Sequence, residues 1–296
     1  MPYHLKPSEP VPAGVRRIVR EEIASAARQL SGKGDADRDE AIHEARKSMK
    51  KIRGALRLMR PELDAIYPGE NAWFREVGLR LSEFRDAGAM LETFHALLEE
   101  YRADLGRRKL DSIRRGLVAR KQQHGNLDEV LRPLAAALRL SARRVPTWPL
   151  GVDGFAALAP GLESAFRKGR RALDRVRKSP TPENYHRWRK RVKDHWYHVR
   201  LLEKFWNAST EAYEKSLKDL ETWLGDDHNL VVLEQTVLAE PRFANAPDIA
   251  LFLELSARYH KQLRGNALKV GKHIYGEKPR QLRARLERLW EEGHQK

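Results

Sequence analysis

One helical stretch occurs twice in this sequence, and each copy carries a row of cations on one side. The copies are HEARKSMKKIRGALRLMR at residues 43–60 and HRWRKRVKDHWYHVRLLEK at residues 186–204. Wound at about 100° per residue, the basic side chains of each copy share a face with its leading histidine, and apolar side chains take the opposite face. Each copy is therefore predicted to be an amphipathic helix that packs on a core and presents cations. The predicted cationic faces carry His43, Arg46, Lys47, Lys50, Arg53 and Arg57 in the first copy, and His186, Arg189, Lys190, Lys193, Arg200 and Lys204 in the second.

A single spacing relates the two copies. His186 follows His43 by 143 residues, and Leu224 follows Leu81 by the same distance. This period is too long for a solenoid, so it predicts two similar helical bundles related by a pseudo-two-fold axis. We expect the two cationic helices to face one shared basic groove or channel.

Helical periodicity extends over most of the remaining chain, whereas alternating β-branched runs are absent. The predicted fold class is therefore all-α. Further helices are predicted at residues 14–30, 71–100 with a break near 86–88, 104–123, 127–140, 161–177, 211–224, 231–238, 248–275 and 279–292. Glycine and proline predict a turn at Pro68-Gly69 and a loop at residues 241–247.

The repeat also predicts the domain organisation. Residues 1–13 are rich in proline and are predicted to form an irregular leader. Residues 14–142 and 155–296 are predicted to form the first and second bundles of one domain. Between them, RRVPTWPLGVDG at residues 143–154 has two prolines, two glycines and no helical period, which is typical of a linker.

The overall charge predicts a polyanionic partner. The net charge is +16, an excess that fits nucleic acid, an anionic membrane surface or another phosphate polymer. The absence of cysteine excludes a disulfide scaffold and thiolate chemistry. No apolar run is long enough to cross a bilayer or to serve as a signal peptide. We therefore expect a cytoplasmic protein that does not bind membranes.

The row of cations in the first copy favours a long anion. Residues 46–60 contain seven bases and no acid, whereas a solvated helix face usually alternates in sign. From His43 to Arg57 the row spans roughly 21 Å of helix, which suits a linear polyanion better than one small phosphate. Neighbouring cations favour neutral imidazoles at His43 and His186, and a bound polyanion would favour their protonation. Binding is therefore predicted to tighten as the pH falls toward about 6.

The repeated motif H-x-x-R-K-x-x-K, at residues 43–50 and 186–193, resembles the signature of the CHAD family of histidine-headed α-helical domains. The family's second signature, a leucine-rich helix that runs into Arg-Asp, is similar to LSEFRDAGAML at residues 81–91 and to LGDDHNLVVL at residues 224–233. The resemblance covers residues 12–292. It implies two four-helix bundles around a basic channel that binds inorganic polyphosphate, without catalysis and without a cofactor, and it implies targeting to polyphosphate granules.

The resemblance implies further binding residues and an uneven pair of sites. The first helix of each bundle lines the basic surface in the family, which adds Arg16, Arg20, Arg167, Arg170 and Arg171 as candidates. Two departures occur in the second copy. Trp196 stands where the first copy has Arg53, and His228-Asn229 stands where the first has Arg85-Asp86. The second half is therefore expected to bind less strongly or to be held together differently.

Other readings of the sequence are weaker. A nucleic-acid-binding protein is the main alternative, and tryptophans would then stack on bases, although Trp188, Trp196, Trp206 and Trp223 fit a bundle core better. His195 and His198 lack a carboxylate at ligand spacing, so we expect buried histidines and no metal. The group Asp226-Asp227-His228 matches no metal site in the first copy. An enzyme acting on phosphoanhydrides would need a metal or a general base, and the sequence identifies no catalytic residue and no protein partner.

Overall fold

Every regular element in the described part of the chain is helical. The computed structural model describes residues 3–32, 38–106, 110–121, 127–205, 208–240 and 248–294. Short 3-10 turns lie at Val145–Thr147 and Glu203–Phe205. The helices are α1 Val11–Ser31, α2 Arg38–Leu58, α3 Arg60–Leu63, α4 Tyr67–Glu100, α5 Arg102–Leu105, α6 Asp111–Lys121, α7 Leu127–Ser141, α8 Phe155–Lys178, α9 Pro182–Leu201, α10 Ala208–Ala239, α11 Ile249–Ile274 and α12 Pro279–His294. The all-α prediction is confirmed.

The same helix pairings recur in the two halves of the chain. In the first half α1 packs on α2 and α7, and α4 packs on α2 and α6. In the second half α8 packs on α9 and α12, and α10 packs on α9 and α11. The halves meet through α2 with α9, α2 with α8, and α4 with α10. One apolar core joins them, since Ile18, Ile52, Phe166 and Trp188 belong to a single buried cluster. The pseudo-two-fold axis stays a prediction.

The two repeated helices, α2 and α9, form as their periodicity predicts. Their apolar faces are buried, with Met49 and Ile52 of α2 and Trp188 and Val192 of α9 at most 1% exposed. Thr181 caps α9, because its hydroxyl accepts a hydrogen bond from the Asn184 backbone N–H at 3.3 Å. Helix α9 ends at Leu201, so Lys204 lies in the following 3-10 turn and not on the predicted cationic face.

Several predicted helix boundaries were wrong. Helix α4 begins at Tyr67 and includes Pro68 and Gly69, because proline fits the first turn of a helix, where its missing N–H has no partner. The predicted break near 86–88 is absent from α4, and α10 joins the two segments predicted at 211–224 and 231–238. A glycine inside a helix costs about 1 kcal/mol of helix stability. The packing of α4 against α10 stabilises the two continuous helices by more than this cost.

The helix predicted at 104–123 is divided. Helix α5 ends at Leu105, and positive φ angles at Gly106 (56°) and Leu110 (48°) redirect the backbone before α6 begins at Asp111. Residues 107–109 and 122–123 of that prediction lie outside the described residues, as does the loop predicted at 241–247.

The leader and the connecting segment both pack against the helices. Helix α1 begins at Val11, and within the leader Leu5 is 1% exposed and donates its backbone N–H to the Leu201 carbonyl at 2.8 Å. In the connection, the Trp148 and Leu150 carbonyls accept hydrogen bonds from Arg16 Nη2 at 2.7 and 3.1 Å. Within the described residues, none of the helices combines the length and the apolar character needed to cross a bilayer.

Helix α8 approaches the end of α2 so closely that only glycine fits at the contact. A Cβ at Gly161 would lie 2.1 Å from the Leu58 carbonyl oxygen, and a backbone atom cannot move aside as a flexible side chain can. Gly161→Ala is therefore expected to lower the free energy of unfolding by roughly 2–3 kcal/mol, as urea denaturation would measure. Gly265→Ala is the matched control, because a Cβ there has nothing within 4 Å and should stabilise α11 by up to about 1 kcal/mol. Equal effects of the two substitutions would contradict the packing argument.

Candidate anion-binding site

Helices α2, α4 and α9 enclose a first cavity, with a volume of about 640 Å³. Its wall is strongly cationic, and Asp194 is the one acid among its described lining residues. The cations are Arg46, Lys50, Arg53, Arg57, Arg75, Lys190, Arg191 and Lys193. Four of them come from α2 at intervals of three or four residues, which places them on one face of that helix.

A second cavity of about 470 Å³ lies next to the first, between α2, α4, α9 and α10. Arg46, Lys50 and Lys193 line both cavities, so the two spaces share a cationic wall. The second cavity adds His43, Arg189, Lys218, His228 and Asn229. It also contains three acids, Glu92, Glu221 and Asp226. The first cavity therefore has the larger excess of positive charge.

Lys50 lies where the two cavities meet. Its ammonium forms no hydrogen bond or ion pair with a described residue, although the Glu221 carboxylate acts on it through its charge. Burial, followed by the charges of Lys193, Arg46 and Arg189, lowers the pKa of Lys50 to about 7 against the opposing effect of Glu221. An anion in either cavity would relieve this repulsion and favour the charged form.

Several other lining cations are held in place by neighbouring polar side chains. Arg53 Nε donates to Asn71 Oδ1 at 3.1 Å, and Arg57 Nη2 lies 2.8 Å from Asp194 Oδ1. Burial and the nearby Arg57 lower the pKa of Arg53. These contacts fix the direction of the guanidinium groups and leave further N–H donors for a ligand, because each guanidinium has five.

In the second cavity a buried carboxylate binds two of the lysines. Glu221 Oε1 lies 2.8 Å from Lys193 Nζ, and Glu221 Oε2 lies 3.1 Å from Lys218 Nζ. The Glu221 side chain is 8% exposed. Burial alone would raise the pKa of Glu221, but Lys193 and then Lys218 lower it to about 2. The carboxylate is therefore ionised at any physiological pH.

The leading histidine of the second repeat stacks on another imidazole. The His186 and His228 ring centroids are 3.9 Å apart. Burial, followed by Lys190 and Arg189, lowers the pKa of His186 to about 4, as the prediction of a neutral imidazole requires. Burial and His186 lower the pKa of His228 to about 3. His186 lies behind His228 and does not itself line either cavity, whereas His43 lines the second cavity.

Some predicted site residues lie away from both cavities. Lys47 pairs with Glu44 one turn earlier on α2, at 2.5 Å. The Arg200 guanidinium lies over the rings of Tyr3 and Trp196, at 5.7 and 5.1 Å from their centroids. Trp196, which stands where the first repeat has Arg53, thus attracts Arg200 by a cation–π contact.

The basic residues predicted on the first helix of each half also lie elsewhere. Arg16 bonds to the connecting segment, and Arg170 Nη1 donates to the Glu277 carbonyl at 3.2 Å. Arg20, Arg167 and Arg171 are exposed, and Arg167 lies 3.5 Å from Glu163 on its own helix. Neither cavity is lined by a residue of α1 or α8.

The histidines and tryptophans set aside in the sequence have structural roles. His195 lies between the hydroxyls of Tyr275 and Tyr213, at 3.3 and 3.2 Å, and His198 Nε2 lies 3.0 Å from the Gly54 carbonyl. Trp188 is fully buried in the core. Trp206 and the side chains of Arg85 and Asp86 lie outside the described residues. Within the described residues, no group of three or more metal-ligating side chains is arranged around one point.

Sequence reasoning missed Arg75 on α4 and Lys218 on α10, which line the first and second cavities respectively. Lys218 follows Arg75 by 143 residues, the spacing of the repeat, so extending the repeat along the chain would have identified both. Arg191 was missed because it takes an unspecified position of the repeated motif, where the first copy has Ser48.

Comparison with known proteins gives the family. A family model described as the CHAD domain matches residues 17–239, a range that includes both cationic helices and most of the cavity walls. This chain belongs to the CHAD family. Its fold is similar to the crystal structure of the CHAD domain from the plant Ricinus communis, with a TM-score of 0.57 and 17% sequence identity, over 92% of this chain and 94% of that chain. A comparison with curated proteins finds no match. The CHAD family assignment agrees with the motifs at residues 43–50 and 186–193.

Proposed function

We propose that this protein binds inorganic polyphosphate in the two adjoining cavities and does not catalyse a reaction on it. The observation that carries the proposal is the composition of the first cavity, where eight cations face a single described acid. Such a wall repels itself unless an anion neutralises it, and the pKa of Lys50 is lowered first by burial and then by that repulsion. Membership of the CHAD family supports the same ligand.

The shape of the site favours a linear chain of phosphates. Arg46 and Arg57 lie at the two ends of the α2 row, which spans roughly 17 Å of helix, and Lys50 between them opens into both cavities. Arginine forks grip two phosphate oxygens each, while lysines act as point charges. A chain with one charge on every unit matches this row better than a single phosphate. Association with polyphosphate granules in the cytoplasm would follow from such binding.

Isothermal titration calorimetry with long-chain polyphosphate tests the proposal. We expect binding whose affinity falls steeply with salt, because counterions are released from the polyanion. Nucleic acid binding in the same site is the main competing function. Long-chain polyphosphate should displace a DNA or RNA oligonucleotide, and the oligonucleotide should fail to displace polyphosphate. The opposite order of displacement would contradict the proposal.

A chain-length assay separates binding from catalysis. Polyphosphate incubated with the protein, with and without added Mg²⁺, should keep its length on a gel. Shortening or extension of the chain would show an enzyme acting on phosphoanhydrides and would overturn the binding-only proposal.

A further inference from the structure

Gly78 on α4 and Glu221 on α10 are equivalent positions at which the two cavities differ in charge. Glu221 follows Gly78 by 143 residues. The flanking cations are equivalent as well, since Lys218 follows Arg75 and Lys193 follows Lys50 by the same spacing. Gly78 lines the first cavity and Glu221 lines the second. Where the second half presents a carboxylate to its lysines, the first half presents no side chain.

Glu221 occupies the place that a bound anion would take. It is nearly buried and bridges Lys193 and Lys218, one oxygen to each ammonium, at 2.8 and 3.1 Å. A phosphate group bound at this place would also give one oxygen to each of the two lysines. The equivalent Lys50, which lines both cavities, has no hydrogen bond or ion pair with a described residue, and Glu221 acts on it only through its charge.

From this asymmetry we infer that Glu221 competes with the ligand for the lysines of the second cavity. The first cavity is then the preferred binding site of the polyanion. The inference rests on the proposed function and adds to it the order in which the polyanion fills the two cavities. A short chain fills the first cavity alone. A longer chain reaches into the second cavity and must compete there with the Glu221 carboxylate for Lys218, which lines the second cavity but not the first, and for Lys193, which lines both. The difference in affinity between long and short chains is therefore smaller than it would be in a site with two equal halves.

The space at Gly78 allows a reciprocal exchange. A Cβ built at Gly78 meets only the Met49 Cβ, at 3.7 Å, which is an ordinary van der Waals contact, and the backbone there is helical. A side chain can therefore be introduced without moving the helices, and the carboxylate can be moved from one cavity to the other.

The test compares Glu221→Gln, Gly78→Glu and the uncharged control Gly78→Ala, by calorimetric titration with polyphosphate of a few units and of long chain length. Glu221→Gln should tighten long-chain binding about tenfold and short-chain binding less, because of the two lysines that Glu221 binds only Lys193 also lines the first cavity. Gly78→Glu should weaken binding of both lengths about tenfold relative to the uncharged Gly78→Ala. Unchanged or weaker long-chain binding by a folded Glu221→Gln protein would overturn the inference.

A measurement on the wild-type protein gives an independent answer. Lysine acetylation followed by mass spectrometry reports which ammonium groups the ligand covers. Short polyphosphate should protect Lys190, which lines only the first cavity, more than Lys218, which lines only the second. Equal protection of the two lysines by short chains would contradict the order of occupancy. Absence of any polyphosphate binding by the wild-type protein would instead refute the proposed function.

Discussion

Exchanging Lys50 for Glu is expected to lower the affinity for long-chain polyphosphate by about 100-fold or more. Lys50 lines both cavities and lies among Lys193, Arg46 and Arg189. The substitution removes one cation and sets a carboxylate among the three others, so that the protein neutralises its own site. Each charge-assisted hydrogen bond lost is worth roughly 1.5–3 kcal/mol. Titration calorimetry near physiological ionic strength, where charges are screened beyond about 8 Å, measures the loss.

Lys47→Glu is the matched control for this experiment. Lys47 belongs to the same motif on the same helix, and its reversal changes the net charge by the same amount. Because Lys47 pairs with Glu44 outside the two cavities, its reversal should change the affinity less than about threefold. Circular dichroism should show the same helix content in both variants. An equal loss in the two proteins would mean that net charge, and not the cavity wall, determines binding.

The cationic wall contributed by α2 could be predicted because a helix with one buried face must expose the other. Periodicity alone places Met49 and Ile52 on the core side, so Arg46, Lys50 and Arg53 fall together on the opposite side. That reasoning needs no knowledge of neighbouring helices. It succeeded for the same reason on α9, where Trp188 and Val192 define the buried face.

Periodicity does not show which neighbour a helix face meets, and here sequence reasoning failed. Arg16 and Arg170 lie on helices with clear apolar faces, yet their side chains bond to carbonyls of other segments, away from the cavities. Arg200 fits the cationic face of α9 by angle, but the ring of Trp196 holds it elsewhere. The bridge from Glu221 to Lys193 spans two helices, so it depends on the register of α10 against α9, which one sequence does not reveal.

The second large effect expected is a fall in polyphosphate affinity as the pH rises above about 7, by up to about tenfold per unit. The free-state pKa of Lys50 is about 7, and a bound polyanion should raise it toward its ordinary value. Below pH 7 Lys50 is already charged in the free protein, so it adds no further pH dependence there. Above pH 7 binding must add a proton to Lys50, and each further pH unit lowers the proton concentration tenfold. His186 and His228, with pKa values of about 4 and 3, stay neutral in the free protein throughout this window.

Calorimetry in two buffers of different ionisation enthalpy, both near pH 8, measures the proton directly. The wild-type protein should take up close to one proton for each protein molecule that binds the polyanion. Lys50→Arg should take up almost none and should bind nearly as well at pH 9 as at pH 7, because a guanidinium stays protonated throughout. If wild-type affinity were flat over this range, or if Lys50→Arg lost affinity just as steeply, then Lys50 would not be the titrating group. Because Lys50, like Arg46 and Lys193, lines both cavities, the proton that it takes up should link the occupancy of each cavity to pH in the same direction.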